Sequence, residues 1–144
     1  MRYLLLIPLF YATILSAQKT GLAFDHNALL VNDLMVSSVF YMEILGLEEI
    51  ENKTQKAHIR WFSLGNGKEL HLSENKNHKV LDVKGVHFAM KANDLDVFIA
   101  HLQANKIPFS NWHGQKNITN TRPDNVRQIY IQDPNGYWIE INGK

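Results

Sequence analysis

The feature that most constrains this chain is an internal repeat. His26-Asn27-Ala28-Leu29-Leu30-Val31-Asn32-Asp33-Leu34 returns as His87-Phe88-Ala89-Met90-Lys91-Ala92-Asn93-Asp94-Leu95, 61 positions on (87 − 26). Further along, Asn66-Gly67-Lys68-Glu69-Leu70-His71-Leu72 matches Asn135-Gly136-Tyr137-Trp138-Ile139-Glu140-Ile141, now 69 positions on (140 − 71). A period of this length means two copies of one supersecondary unit stacked into a single core. Two such copies usually pack about a pseudo-twofold axis, where equivalent residues can meet. His26 is then equivalent to His87, and His71 to Glu140. Three imidazoles and one carboxylate meeting at the axis would make a divalent-metal site.

The first 17 residues stand apart from this pattern. Met1-Arg2 is a short basic start, Leu4 to Leu15 is almost wholly apolar, and Ser16-Ala17 supplies small residues before Gln18. This order reads as a secretory signal peptide cut after Ala17. The apolar run is short for a membrane span, so no stable span is expected after processing. Residues 18–23 then form a linker, and residues 24–144 one domain, with repeat one over 24–74 and repeat two over 85–142. The expected location is exported, either periplasmic or secreted. The chain has no cysteine, which excludes disulfides, thiolate ligands and a lipid anchor on cysteine. Removing Arg2 leaves 14 Lys+Arg (15 − 1) against 14 Asp+Glu. That balance lacks the basic footprint of a nucleic-acid binder. No glycine fingerprint for a nucleotide is present; Gly65-Asn66-Gly67 reads as a turn.

The apolar periodicity predicts a strand over 24–31, then a helix capped by Asn32 or Asp33 and running to about Leu45. Val36, Val39, Phe40 and Ile44 are expected on its buried face, with Gly46 as the stop. A short strand over 47–51 and a hairpin of 58–64 with 69–73 complete a β-α-β-β-β unit. The second copy repeats the order. It has a strand over 86–92 and a helix capped by Asp94, with Leu95, Phe98, Ile99 and Leu102 along one stripe. A strand over 107–112 and a final hairpin of 127–132 with 137–142 follow. The eight extra residues of copy two (69 − 61) fall between Trp112 and Asn125, in a loop placed to cover a site mouth. Asp133-Pro134-Asn135-Gly136 suits a type I turn closed by a glycine bulge. That turn sets Tyr130 opposite Glu140. Alternation then places Gln128, Tyr130, Trp138 and Glu140 on one face, and by the repeat Ile59, Trp61, Glu69 and His71 on its counterpart. His58, His78, His101 and His113 read as ordinary packing or surface residues, with His101 on the polar side of its helix.

These residues resemble the vicinal oxygen chelate superfamily, which holds the glyoxalases, the bleomycin- and fosfomycin-resistance proteins and the extradiol dioxygenases. The likeness covers about residues 24–142. It rests on Asp25-His26, on Phe40-Tyr41 with Leu45-Gly46-Leu47, on Gly85-Val86-His87, and on Asp133-Pro134-Asn135-Gly136 followed by Trp138-Ile139-Glu140. The resemblance implies an α+β, glyoxalase-like fold of two β-α-β-β-β units in a cupped mixed sheet. It also implies metal ligands on the first and last strand of each unit, here His26, His71, His87 and Glu140. Glyoxalase I enzymes commonly carry a carboxylate or amide where this chain has His71, so His71 is either a fourth ligand or an acid/base.

Such a donor set suits Zn, Ni, Fe(II), Co or Mn. The implied activity is that of a metal-dependent lyase, isomerase or dioxygenase that chelates a small oxygen-rich substrate through two neighbouring oxygens. Glu140 and His71 are the candidate proton carriers, and Trp61, Gln128, Tyr130 and Trp138 the candidate pocket walls. The alternative is a small-molecule-sequestering protein of bleomycin-resistance type. A glutathione-dependent glyoxalase is disfavoured by export. A homodimer is expected, because the units expose sheet edges, and the site is compatible with donors from one chain or from two.

Overall fold

The computed structural model describes residues 21–144; the signal-peptide reading of 1–17 and the first half of the 18–23 linker lie outside the described residues. Repeat one contributes strands β1 (His26–Val31), β2 (Glu48–Ile50), β3 (Ile59–Gly65) and β4 (Lys68–Glu74), ordered β1-β4-β3-β2. Repeat two contributes β5 (His87–Lys91), β6 (Asn120–Thr121), β7 (Arg127–Gln132) and β8 (Trp138–Gly143), ordered β5-β8-β7-β6. In each sheet the first strand runs parallel to the last and the other pairs are antiparallel. The glyoxalase-like α+β plan is therefore present as two equivalent mixed sheets. They share one apolar core, with Leu29, Val31, Phe62, Leu70 and Leu72 from the first and Ile129, Ile131, Ile139 and Ile141 from the second.

Both helices start where the aspartates place them. Asp33 accepts from Val36 N ahead of α1 (Leu34–Val39), and Asp94 accepts from Asp96 N and Val97 N ahead of α2 (Leu95–Ala104). These caps satisfy amide groups that a helix start leaves without partners. On α2 the predicted stripe holds: Leu95 and Leu102 are fully buried, with Phe98 and Ile99 packed against them. On α1 it holds only in part: Phe40 is buried and Ile44 packs on the core, but Val36 and Val39 are about half exposed (52% and 49%), and Leu34, Ser37, Ser38 and Tyr41 are buried in their place. Two features of the chain explain this. The helix widens into a π turn over Phe40–Ile44, which changes the residue period. The buried serines also have partners: Ser38 Oγ donates to Leu34 O at 2.6 Å, and Asn135 Nδ2 donates to Ser37 Oγ at 3.0 Å. Gly46, at φ +68°, ends this segment as expected.

The final hairpin has the expected register, with Ile131 opposite Ile139 and Tyr130 opposite Glu140. Gly136 sits at φ +96° and its N–H donates to Asp133 O at 3.0 Å. The first hairpin reaches the same facing by another route. Its turn is shorter, Gly65 pairing with Lys68, but a bulge between Ser63 and Gly65 adds a residue on one side. Trp61 then faces His71, the equivalent of Tyr130 facing Glu140. Without the bulge, every side chain of one strand would turn to the opposite face.

The strand predicted over 107–112 is not formed. Only Ser110 bridges to Tyr130, through N–H···O contacts of 3.0 and 2.8 Å, and the rest of the β7 edge is paired by β6 from the inserted loop. Pro108 removes one donor in that stretch, and Asn111 folds back onto Gln115 at 2.7–3.1 Å.

Candidate metal centre and ligand face

Alternation puts the four predicted donors on the sheet faces away from the apolar core. The structure gathers them as two pairs. In repeat two, His87 Nε2 lies 3.2 Å from Glu140 Oε2. In repeat one, the rings of His26 and His71 stack with centroids 4.4 Å apart, and Trp61 stacks on the other side of His71 at 4.1 Å. Among the described residues of one chain, no three His, Cys, Asp or Glu side chains come together closely enough to hold an ion.

The repeat-two pair is built in depth. Glu140 is buried. Its Oε2 accepts from the Tyr130 hydroxyl, and its Oε1 accepts from Asn142 Nδ2 at 2.7 Å and from Arg122 Nη1 at 3.4 Å. Gln128 Nε2 in turn donates to the Tyr130 hydroxyl at 2.9 Å. Burial pushes the Glu140 carboxyl up. The bonds from Tyr130 and Asn142 and the charges of His87 and Arg122 together outweigh it, so the net shift is downward and Glu140 is ionised. Burial, then the bond to Glu140 and its negative charge, pushes the Tyr130 phenol far up, so it stays a proton donor at neutral pH.

His87 Nδ1 lies 2.8 Å from Lys84 O. A carbonyl can only accept, so Nδ1 carries the hydrogen; Nε2 donates to Glu140 when the ring is charged and offers its lone pair there when the ring is neutral. The 3.2 Å gap suits either a shared proton or a metal ion in its place. That spacing matches adjacent ligands each about 2.1 Å from one ion. His26 is arranged alike, its Nδ1 donating to Asp25 Oδ2 at 2.7 Å. A ligating histidine fixed through its second nitrogen is the usual outer-shell arrangement. His71 differs: its Nε2 is 2.7 Å from Glu69 Oε2.

The predicted pocket residues divide in the same way. Gln128, Tyr130 and Trp138 surround Glu140's side, whereas Trp61 belongs to the His26–His71 stack. Tyr130 and Trp138 also line a cavity of about 400 Å³ with Lys84, Ser110 and Lys116. Sequence reasoning missed Lys84, Trp112, Arg122 and Asn142. Asn142 had a signal, lying two residues past Glu140 on the same strand face. The others reach the site from the linker and the inserted loop, where no periodicity marks them. The loop does border the site: the Trp112 ring lies 6.4 Å from that of His87 and 5.7 Å from that of Tyr130. Of the histidines read as ordinary, His101 joins repeat two to repeat one and His78 ties the linker to repeat two. His101 Nε2 is 3.0 Å from Glu43 O, and His78 Nε2 is 3.0 Å from the Tyr137 hydroxyl.

With this geometry in hand, comparison with known proteins is specific. The family model described as Glyoxalase/Bleomycin resistance protein/Dioxygenase superfamily matches residues 23–141. No curated protein matches the chain. Among solved structures, the chain is similar to a glyoxalase-family protein from Bacillus anthracis at 25% identity and TM-score 0.70, over 88% of this chain and 98% of that one. It is similar to a glyoxalase/dioxygenase from Nostoc punctiforme at 22% identity and TM-score 0.68, over 96% and 98%. It is also similar to a lactoylglutathione lyase from Agrobacterium tumefaciens at 22% identity and TM-score 0.65, over 87% and 96%.

Proposed function

Since the chain belongs to the glyoxalase/bleomycin resistance/dioxygenase superfamily, we propose that it is a metal-dependent enzyme whose complete site forms between two copies of the chain. The His26–His71 pair of one copy would then face the His87–Glu140 pair of the other. The observation that carries this reading is the His87–Glu140 pair, 3.2 Å apart, with His87 oriented by Lys84 O. A bound Zn, Ni, Fe(II), Co or Mn ion would supply Lewis-acid chemistry toward two neighbouring oxygens of a small substrate. The reaction is of lyase, isomerase or dioxygenase type.

The chain's own residues supply the rest. Tyr130 holds Glu140 in place and keeps its proton. Glu69 is placed to steady a proton on His71 Nε2, which suits His71 to proton transfer at that atom. Trp61 and His26 sandwich the His71 ring and fix its plane. The Trp112, Tyr130 and Trp138 rings offer apolar wall beside the donors. We also propose export: the mature chain begins at Gln18, and intact mass of protein recovered from the cell envelope tests it. Recovery of uncleaved chain from cytosol alone would refute it. Among the described residues no helix is long and apolar enough to cross a membrane.

Mixing two inactive variants tests the shared site. H26A and E140A should each lose the rise in melting temperature that Zn, Ni, Mn or anaerobic Fe(II) gives the wild type by mass action. Unfolded together and refolded, they should regain part of it. A mixed pair then holds one site made of two intact halves. No regain would place the site within one chain or remove it. No response of the wild type to any ion, with protein that purifies empty, would favour the sequestering alternative.

A further inference from the structure

Lys84 lies in the linker between the repeats and touches the second half-site by two separate routes. Its backbone carbonyl accepts from His87 Nδ1 at 2.8 Å, which selects the ring tautomer and turns Nε2 toward Glu140. Its ammonium donates to Ser110 Oγ at 3.0 Å and to Asn111 O at 2.9 Å, with Trp112 O at 3.5 Å. The same ammonium sits 4.5 Å from the centroid of Trp138 and 5.4 Å from that of Tyr130, within reach of favourable cation–π contact. Asp82 completes the surroundings, accepting from Trp138 Nε1 at 2.8 Å and from Gln132 Nε2 at 3.1 Å. Around this one cation stand the start of the inserted loop, two rings of the site face and the main chain that orients a donor histidine.

A lysine ammonium so enclosed forfeits hydration and side-chain freedom, which a plain surface residue keeps. Burial pushes it below the ordinary lysine range, with Asp82 opposing. The enclosure has a geometric result. The carbonyls of Asn111 and Trp112 are drawn toward Lys84, while Trp112 N donates to Asn120 Oδ1 at 3.0 Å. The partly exposed indole is thereby held against His87 and Tyr130. Repeat one has no counterpart to this loop.

We infer that Lys84 is a positioning residue of the His87–Glu140 half-site, fixing the His87 ring through its carbonyl and the Trp112 wall through its ammonium. The inference rests on the reading of His87 and Glu140 as donors, and it is tested by a measurement that needs no metal. In full-length protein, nitrogen-15 shifts of the His87 ring should report a single Nδ1–H tautomer, and the Trp112 indole N–H should give one resonance. K84M keeps the stem and removes the charge. It leaves the Lys84 carbonyl in place, so it should move the Trp112 resonance and, by freeing the main chain that carries that carbonyl, shift and broaden the His87 ring nitrogens; K84R should restore both. A second arm follows Co(II) binding by its visible absorption. K84M should weaken it about ten- to a hundredfold, as loss of an outer-shell partner does. If wild type binds no Co(II), the metal reading fails while the resonances still judge Lys84. If folded K84M keeps the wild-type His87 and Trp112 signals, the inference is overturned. Should K84M not fold, K84A, which removes charge and donor alike, is measured, and unchanged signals there overturn it equally.

Discussion

Glu140 in the second repeat is gripped by Tyr130, Asn142, Arg122 and His87, and its side chain is only 7% exposed. His26 in the first repeat holds Asp25 through one nitrogen, stacks on His71, and leaves its side chain 44% exposed. The difference extends to the turns. Asp133 of the second hairpin accepts from the Tyr41 hydroxyl at 3.1 Å and from Tyr137 N at 2.9 Å, and Asn135 Oδ1 accepts from Asn32 N at 2.8 Å. The second turn thus docks onto α1 and the start of its helix, whereas Asn66-Gly67 only reverses its own chain. One copy of the repeat has become the anchor, and the other presents its donors to whatever meets it. This is the asymmetry expected if the open half is completed by a second chain.

The turns should show the largest contrast. D133A leaves the buried Tyr41 hydroxyl and two backbone amides without their acceptor, and should lower unfolding free energy by about 3 kcal/mol. N66G places glycine at a φ of 51°, where it is unstrained, and should change stability by less than about 0.5 kcal/mol. Urea denaturation of both variants decides it. Equal effects would mean that the second turn is not the joint between the repeats.

The donors should differ next, and in two separable quantities. E140A strands buried donors and should cost about 2 kcal/mol in metal-free protein. H26A should cost less than about 0.5 kcal/mol there, yet abolish as much metal-induced stabilisation as E140A. A large metal-free loss in H26A would erase the contrast between anchor and open half. Because His101 bridges to Glu43, it is a poor control for such work; exposed Lys79 serves better, and K79A should move neither quantity.

What was legible in the chain follows from how local each signal is. Asp33 and Asp94 cap their helices through contacts two or three residues away, so the residue types alone locate the starts. The glycine-bulged turn fixes the Tyr130–Glu140 register within ten residues, and the shared face of Gln128, Tyr130 and Glu140 follows by alternation. Where partners come from far along the chain, the same reasoning fails. The buried face of α1 includes Ser37 because Asn135 arrives from 98 residues away. Val36 and Val39 look like core residues only when those serines are judged without their partners. The strand expected over 107–112 gives way where Pro108 lacks a donor and Lys84, 27 residues before Asn111, takes the Asn111 carbonyl. The split of the four donors into two pairs depends on how the repeats pack, which their separate patterns do not encode.

The smallest contrast lies at the second residue of each helix, Met35 and Asp96, 61 positions apart (96 − 35). Each meets an arginine from its own sheet. Arg60 reaches Met35 Sδ at 3.0 Å, and Arg127 grips Asp96 with bonds of 2.7 and 3.0 Å. The bonds from Arg127 hold the Asp96 carboxyl below its usual range, against a weaker opposing push from desolvation. A depressed carboxyl contributes stability that is present above the unfolded value, about pH 4, and is lost as pH falls through the folded value. The gap in unfolding free energy between wild type and D96N should therefore be open at pH 7 and closed well below pH 4. Asp96 is exposed and Arg127 only partly buried, so the gap will be small. M35L, with no charge to titrate, should shift stability equally at both pH values. A D96N gap that does not change with pH would show that the arginine clip in repeat two acts by packing alone, as its counterpart does in repeat one.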